Sequence, residues 1–239
     1  MNKNEKVTIA FAHDIVVDTE FALSMMEIMR SRADRIASFH CVEGTGLLAK
    51  SRNIAVKHFL DTPNTGDWLL MIDTDQRLSV PSFDLLVQTA DKNKRPVVSG
   101  LVFAAVWNGL SLRPVPSLFV TQEDGGILPY DNYPKNSIVE INACGAALML
   151  IHRSVLEKIR ESANDDTKDW CWFQDGPING NRWLSEDLIF STRIQEAGFK
   201  IHAHTGATAG HHKMMWLEEP MYDAWAAQNE AGTGLEQLM

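Results

Sequence analysis

The run Trp68-Leu69-Leu70-Met71-Ile72 ends at once in Asp73-Thr74-Asp75. Five consecutive apolar residues without polar alternation predict a strand buried on both faces, and such a strand needs helices above and below its sheet. The neighbouring segments supply them. Val7–Ala12 (VTIAFA), Ile36–Cys41 (IASFHC) and Pro96–Phe103 (PVVSGLVF) read as further strands. Between them Thr19–Arg30, Leu47–Leu60 and Ser82–Ala90 have helical spacing, the last opened by Pro81 in its first turn. The alternation predicts an α/β fold built on a mostly parallel, doubly wound sheet.

Past Trp107 the pattern loosens. Pro114, Pro116, Gly125, Gly126, Pro129 and Pro134 punctuate a long irregular connection up to Ser137, with an edge hairpin expected around Leu118–Val120. Ile138–Ile151 returns to strand character with a bend at Cys144-Gly145. Ser154–Ser162 is expected to be helical with Ser154 as its cap, and 164–182 to be irregular. Ser185–Gly198 carries the marks of a helix: a serine cap, acids in the first turn and a glycine stop. Phe199–Ala203 reads as the last strand, and the tail after Trp216 as weakly amphipathic.

A chain of 239 residues suits a single domain. Its formal net charge of −9 argues against a nucleic-acid partner, since phosphate backbones demand clustered lysine and arginine. Cys41, Cys144 and Cys171 form no CxxC pattern, which fits a reducing compartment and neither a disulfide framework nor a zinc site. The N-terminus shows no signal-peptide core, and no apolar run is long enough to span a bilayer. The expectation is a soluble, cytoplasmic protein without a transmembrane segment.

In doubly wound sheets ligands bind beyond the carboxyl ends of the strands. His13, Asp14, Glu43, Asp73 and Asp75 all fall at such ends. Two carboxylates one residue apart can converge on a hard cation such as Mg2+ or Mn2+, whose shell substrate phosphates complete. The same pair can also cap a turn and face solvent. Glu186 and Asp187 open a helix, where carboxylates offset the dipole; one of them could instead serve as a base for an acceptor hydroxyl. His211 and His212 follow the final strand. An imidazole there could complete an octahedral site with Asp75 and a diphosphate, or be a surface histidine.

Taken in order, these segments resemble the GT-A fold of nucleotide-diphospho-sugar glycosyltransferases, family 2-like, of the small soluble bacterial and phage type. The resemblance runs from about residue 7 to 212. It rests on Ala49–Asn53, Asp73–Asp75, Pro96–Leu101, Cys144–Leu150, Ser185–Lys200 and Ala209–His211. It implies one GT-A domain over 1–215, with a nucleotide-binding half (1–106), an acceptor-side half (107–215) and a C-terminal tail (216–239). It further implies that His13 and Asp14 lie beside the nucleobase, Arg52 near the nucleotide, and Asp73 at the ribose or the metal. Asp75 would be the main ligand of Mn2+ or Mg2+, with His211 the third protein ligand and His212 the fallback. Asp187 would be the base of an inverting reaction, with Glu186 the alternative.

The activity so implied moves a sugar from a UDP- or GDP-linked donor to a hydroxyl of a glycan, a lipid-linked sugar or a protein. A nucleotidyltransferase is the competing enzyme class, though the segment after the first strand lacks the Gly-rich, basic loop it would want. A non-catalytic nucleotide-sugar-binding domain is the third reading. Trp170, Trp172 and Trp183 flank the Glu-Asp pair and suit either sugar rings or a core.

Overall fold

The computed structural model describes residues 1–107, 112–122, 126–178, 182–214 and Glu219. The rest of the 216–239 tail, and parts of the 107–137 and 164–182 segments, lie outside the described residues.

The elements follow in chain order: β1 (Val7–His13), α1 (Thr19–Arg32), β2 (Ile36–Glu43), α2 (Leu48–Asp61), β3 (Trp68–Ile72), β4 (Gln76–Leu78) and α3 (Val80–Thr89). Next come β5 (Val97–Leu101), β6 (Phe103–Trp107), β7 (Leu112–Pro116), β8 (Leu118–Thr121), β9 (Ile127–Pro129), β10 (Ile138–Ile141), β11 (Ala143–Cys144) and β12 (Leu148–His152). The chain continues through α4 (Arg153–Glu161), β13 (Gly176–Ile178), β14 (Arg182–Leu184), α5 (Glu186–Glu196) and β15 (Ile201–His211).

The central sheet has the order β10-β15-β5-β12-β3-β1-β2, with β4 attached to β15. Taking β1 as reference, β2, β3, β5 and β15 run with it, while β12 and β10 run against it. The sheet is therefore mostly parallel and flanked by helices on both faces. Strand β3 shows why. Its alternate residues Leu69 and Met71 join the core under α2, α4 and α5, while Trp68, Leu70 and Ile72 join the core under α1 and α3. Each fully buried side chain of this kind contributes about 1.5–3 kcal/mol, so the strand fixes the centre of the molecule and the position of the aspartates that follow it.

Several local expectations need correction. Ile138–Ile151 is three short strands, not one. Only β12 enters the middle of the sheet, where it is antiparallel; β10 lines the edge and β11 joins β8 and β9 in a separate small sheet. The stretch before it is also richer in strands than its prolines suggest. β6 and β7 form a hairpin in which Pro114 and Pro116 sit on a strand of a two-stranded ribbon, where a missing N–H is tolerated. Helix α4 is capped by the His152 side chain, which accepts from the Ser154 amide, so Ser154 is not the cap. Ser185 does stand at the N-cap of α5, but its hydroxyl is turned to Asp187. The last strand continues to His211 because β15 pairs first with β5 and then, past a register shift between His204 and Thr208, with β4. Gly206 and Gly210 thus lie inside a strand.

The three cysteines are free. Among the described residues no helix is long and apolar enough to cross a membrane.

A charged network ties α2, α4 and the segment before β13 together. Arg160 reaches Asp61 at 2.6 Å and also pairs with Asp169; Lys57 reaches both aspartates, at 2.8 and 2.9 Å. The Arg160 guanidinium, aided by Lys57, holds the Asp61 carboxyl at about 2 against burial, well under its ordinary 3.8. A carboxyl lowered in this way contributes stability above its unfolded value and loses it as pH falls through the folded one. These groups are partly solvated, so Arg160→Met should cost about 1 kcal/mol near neutral pH. The cost should shrink as pH drops from 3.8 to about 2. Chemical denaturation of both proteins across that window checks it; a constant difference would mean that lost packing of the guanidinium over Trp172, not charge, sets the cost.

Candidate functional site

The sheet order places β1 between β2 and β3, so the chain leaves β1 to one side and returns on the other. The crevice at the carboxyl ends of β1 and β3 is the position such sheets reserve for ligands. Ala10, Phe11, Ala12, Ser51, Arg52 and Asp73 are among its lining residues.

Arg52 organises this crevice. It lies on α2 and is buried. One terminal nitrogen donates to the Glu186 carboxylate at the start of α5, and the other donates to Asp73 at 3.1 and 3.3 Å. Burial works against its charge, but Asp73, Glu186 and Asp187 outweigh burial and keep the guanidinium protonated. For Glu186, burial pushes the carboxyl above its usual range, Arg52 pulls it down, and Asp187 adds to the rise. Neighbouring Asn53 uses its whole amide to hold the next loop. It donates to the carbonyls of Ala49 (2.9 Å) and Phe173 (2.7 Å), and accepts from the amides of Trp172 and Phe173. That loop brings Asp175 to the Glu186 amide at 3.0 Å.

Asp187 points elsewhere. Its Oδ1 accepts from the Leu188 amide at 2.8 Å and from the Ser185 hydroxyl. Its Oδ2 faces Gly145, where an added Cβ would come within 3.5 Å. It makes no ion pair among the described residues, in contrast to Glu186.

The second carboxylate of the Asp-Thr-Asp turn belongs to another cluster. The turn is pinned from two sides, with the Asp18 amide on the Thr74 carbonyl (3.2 Å) and the His212 amide on the Asp75 carbonyl (2.9 Å). The β4–β15 pairing brings His211 alongside, its Nε2 at 3.0 Å from Asp75 Oδ2. His211 Nδ1 lies 2.7 Å from the Phe103 carbonyl. A carbonyl only accepts, so Nδ1 carries the proton and Nε2 turns toward Asp75. A backbone carbonyl that fixes the tautomer in this way is common behind metal-ligating histidines. Lys213 also donates to Asp75 Oδ2, at 2.8 Å, and Gln76 donates to Oδ1 at 3.3 Å. Burial raises the Asp75 carboxyl, but Lys213 and His211 outweigh it and hold it below the usual range.

The sequence-derived candidates therefore fall into separate groups. Asp73, Arg52 and Glu186 form one, and Asp75 with His211 another. His212 faces Asp18, the N-cap of α1, instead of Asp75. His13 and Asp14 end β1, where His13 Nδ1 meets the Asp14 carbonyl at 2.8 Å, apart from both groups. No set of three or more His, Cys, Asp or Glu gathers as a metal-binding cluster among the described residues. Trp172 is core, whereas Trp183 is 70% exposed on the β13–β14 hairpin that leads into α5. Asn53 was legible only as the end of the Ala49–Asn53 segment, and Asp18, Gln76 and Lys213 were not legible as site residues. Of these last three, Asp18 alone carried a local signal, an Asp-x-Glu helix start.

No protein-family model matches the chain, and no curated protein matches it in sequence. Solved structures do. The chain is similar to A197 from STIV, with a TM-score of 0.55 and 16% identity over 87% of this chain and 86% of that one. It is also similar to GalNAc-T7, solved with UDP, GalNAc and Mn2+, with a TM-score of 0.59 and 12% identity. That match covers 95% of this chain and 48% of the other, so the chain spans about half of that protein's length. The likeness is one of fold. What the two share with this chain is an α/β architecture with a large, mostly parallel sheet flanked by helices.

Proposed function

We propose that this chain is a glycosyltransferase that moves a sugar from a nucleotide-diphosphate donor to an acceptor hydroxyl with a divalent metal. The observation that carries the reading is His211, its Nδ1 committed to the Phe103 carbonyl and its Nε2 beside Asp75, at the carboxyl end of the sheet. One carboxylate oxygen and one imidazole nitrogen suit Mn2+ or Mg2+. Asp75 and His211 would hold the ion, with Asp73 approaching from the nucleotide side. The ion would supply positive charge against the departing diphosphate.

The protein's own groups do the rest. Arg52 is committed to two carboxylates, so it acts by fixing Asp73 and the first turn of α5, and its contact with the nucleotide is indirect. His13 and Asp14 flank the nucleobase at the end of β1. Asp187 accepts the acceptor proton through Oδ2, the oxygen that faces Gly145. Glu186, buried against Arg52, positions the helix and leaves the proton transfer to its neighbour. UDP- or GDP-linked sugars are the donors, and a glycan, lipid-linked sugar or protein is the acceptor.

A panel of nucleotide sugars with Mn2+ tests the reading by release of nucleoside diphosphate. Pyrophosphate released from a nucleoside triphosphate and a sugar phosphate would identify a nucleotidyltransferase instead. Nucleotide binding without any turnover would point to a binding domain. Independently of turnover, Mn2+ with UDP or GDP should raise the melting temperature more than either alone. Ligand at one hundred times Kd adds about 2.7 kcal/mol, or roughly 5–10 °C for a domain of this size. Asp75→Asn and EDTA should each abolish the synergy. Should EDTA leave nucleotide binding unchanged, the metal role is wrong.

A further inference from the structure

We propose that Lys213 is the internal cation of Asp75 and that, once a divalent cation binds Asp75, the same lysine contacts the donor diphosphate. The proposal rests on the metal-ligand reading of Asp75 given above.

Asp75 Oδ2 is crowded by two groups, His211 Nε2 at 3.0 Å and Lys213 Nζ at 2.8 Å. Both contacts hold the Asp75 carboxyl down against burial, and the Lys213 ammonium gives this half-buried carboxylate a cationic partner. A divalent cation at Asp75 meets the same requirement and competes for the same oxygen.

Lys213 has room to leave. The Asp75 carbonyl holds the His212 amide at 2.9 Å, which fixes the chain at that point. Beyond it His212, Lys213 and Met214 are exposed. Beside them lies a cavity of about 280 Å³ lined by Asp18, Glu20, Asp75, Arg77, His211 and other residues. Three carboxylates against one arginine make this an acidic cavity, which a diphosphate cannot enter unaided. With a divalent cation held at Asp75, the Lys213 ammonium would be freed into a cavity where Glu20 is already paired with Arg77 and Asp18 with His212, which leaves the donor diphosphate as the anion for it to meet. Lys213 thereby exchanges an internal carboxylate for a donor phosphate, and the apo and loaded sites are both charge-matched.

The two roles give opposite signs in one variant. Lys213→Met should bind Mn2+ alone more tightly, by about threefold, since a partly exposed ion pair no longer competes. In saturating Mn2+ it should bind UDP and GDP about tenfold more weakly, the loss of one charge-assisted contact. Lys213→Arg should keep both affinities near those of the wild type. Calorimetric titration of Mn2+, and of each nucleoside diphosphate in Mn2+, measures both on folded protein, with melting curves as the check. A merely structural lysine would move both affinities the same way or neither. Tighter Mn2+ without weaker nucleotide, or weaker nucleotide without tighter Mn2+, overturns the exchange. If Asp75→Asn abolishes Mn2+ binding while Lys213→Met changes neither affinity, the lysine has no such role and the metal site stands. If Asp75→Asn binds Mn2+ as the wild type does, the metal reading itself falls.

Discussion

Asp187→Asn is expected to lower kcat by about 10²–10⁴-fold while leaving the affinity for donor nearly unchanged. The asymmetry between the two acids of α5 is the reason. Glu186 is buried and bound to Arg52, so a proton delivered to it would break the ion pair that fixes the helix start. Asp187 has one oxygen held by Ser185 and the Leu188 amide, which orients the carboxylate, and a second that faces Gly145. An oriented carboxylate whose second oxygen has no hydrogen-bond partner among the described residues has what a general base requires. Asparagine keeps the shape and can keep the contacts at Oδ1, so folding and donor binding should survive. Loss of kcat with unchanged binding marks an interaction made in the transition state. Steady-state kinetics with nucleoside-diphosphate release as readout, beside donor titrations, separates the two quantities. Near-normal turnover in Asp187→Asn would transfer the role to another group, and Glu186→Gln would be the next variant to measure.

The parts of this fold legible in the sequence are those with a strong local cause. WLLMI could only be a doubly buried strand, and its two faces do enter two separate cores. α1 and α2 differ from their sequence-read spans by a residue or two at their ends, because amphipathic spacing dictates a helix whatever surrounds it. The failures have a shared cause as well. Nothing within Ile138–Ile151 says that its pieces pair with different sheets, since β10, β11 and β12 are separated by partners far along the chain. The extent of β15 was hidden for the same reason: Thr205–His211 is polar and glycine-containing, and it is strand only because β5 and β4 lie beside it. Site residues follow the same division. Asp73, Asp75 and Asp187 announced themselves by position after a strand or at a helix start. The cations that give Asp73 and Asp75 their state act across 21 and 138 residues of chain, Arg52 on Asp73 and Lys213 on Asp75. Pairings at such separation leave no local pattern.

Arg52→Met should destabilise the protein by about 3–5 kcal/mol, the usual result of removing one partner of a buried ion pair. Arg52 is enclosed on all sides, with its guanidinium 5.8 Å from the Phe173 ring as well as bound to Asp73 and Glu186. Methionine fills similar space, so the cost is mainly electrostatic. Asp73 is about one third exposed and can turn to water, whereas Glu186 is buried and cannot. Its carboxyl is already pushed up by burial and by Asp187, and Arg52 is the cation that opposes them. Without Arg52 the folded-state value rises further above the unfolded 4.5. Between those two values the folded protein binds more protons than the unfolded one, so its stability falls as pH rises. The penalty of Arg52→Met should therefore be smallest below about pH 4.5 and grow toward neutrality, the opposite of the acid sensitivity set by Asp61. Arg52→Met combined with Glu186→Met removes both charges and should recover most of the loss, because an apolar pair of similar volume replaces a buried ion pair at little cost. Urea denaturation of the two single variants and the double variant at pH 4.5 and pH 7 measures all of this. A loss under about 1 kcal/mol in Arg52→Met at pH 7 would mean that water reaches Glu186 and that the ion pair does not hold α5 against the crevice at the end of β1 and β3.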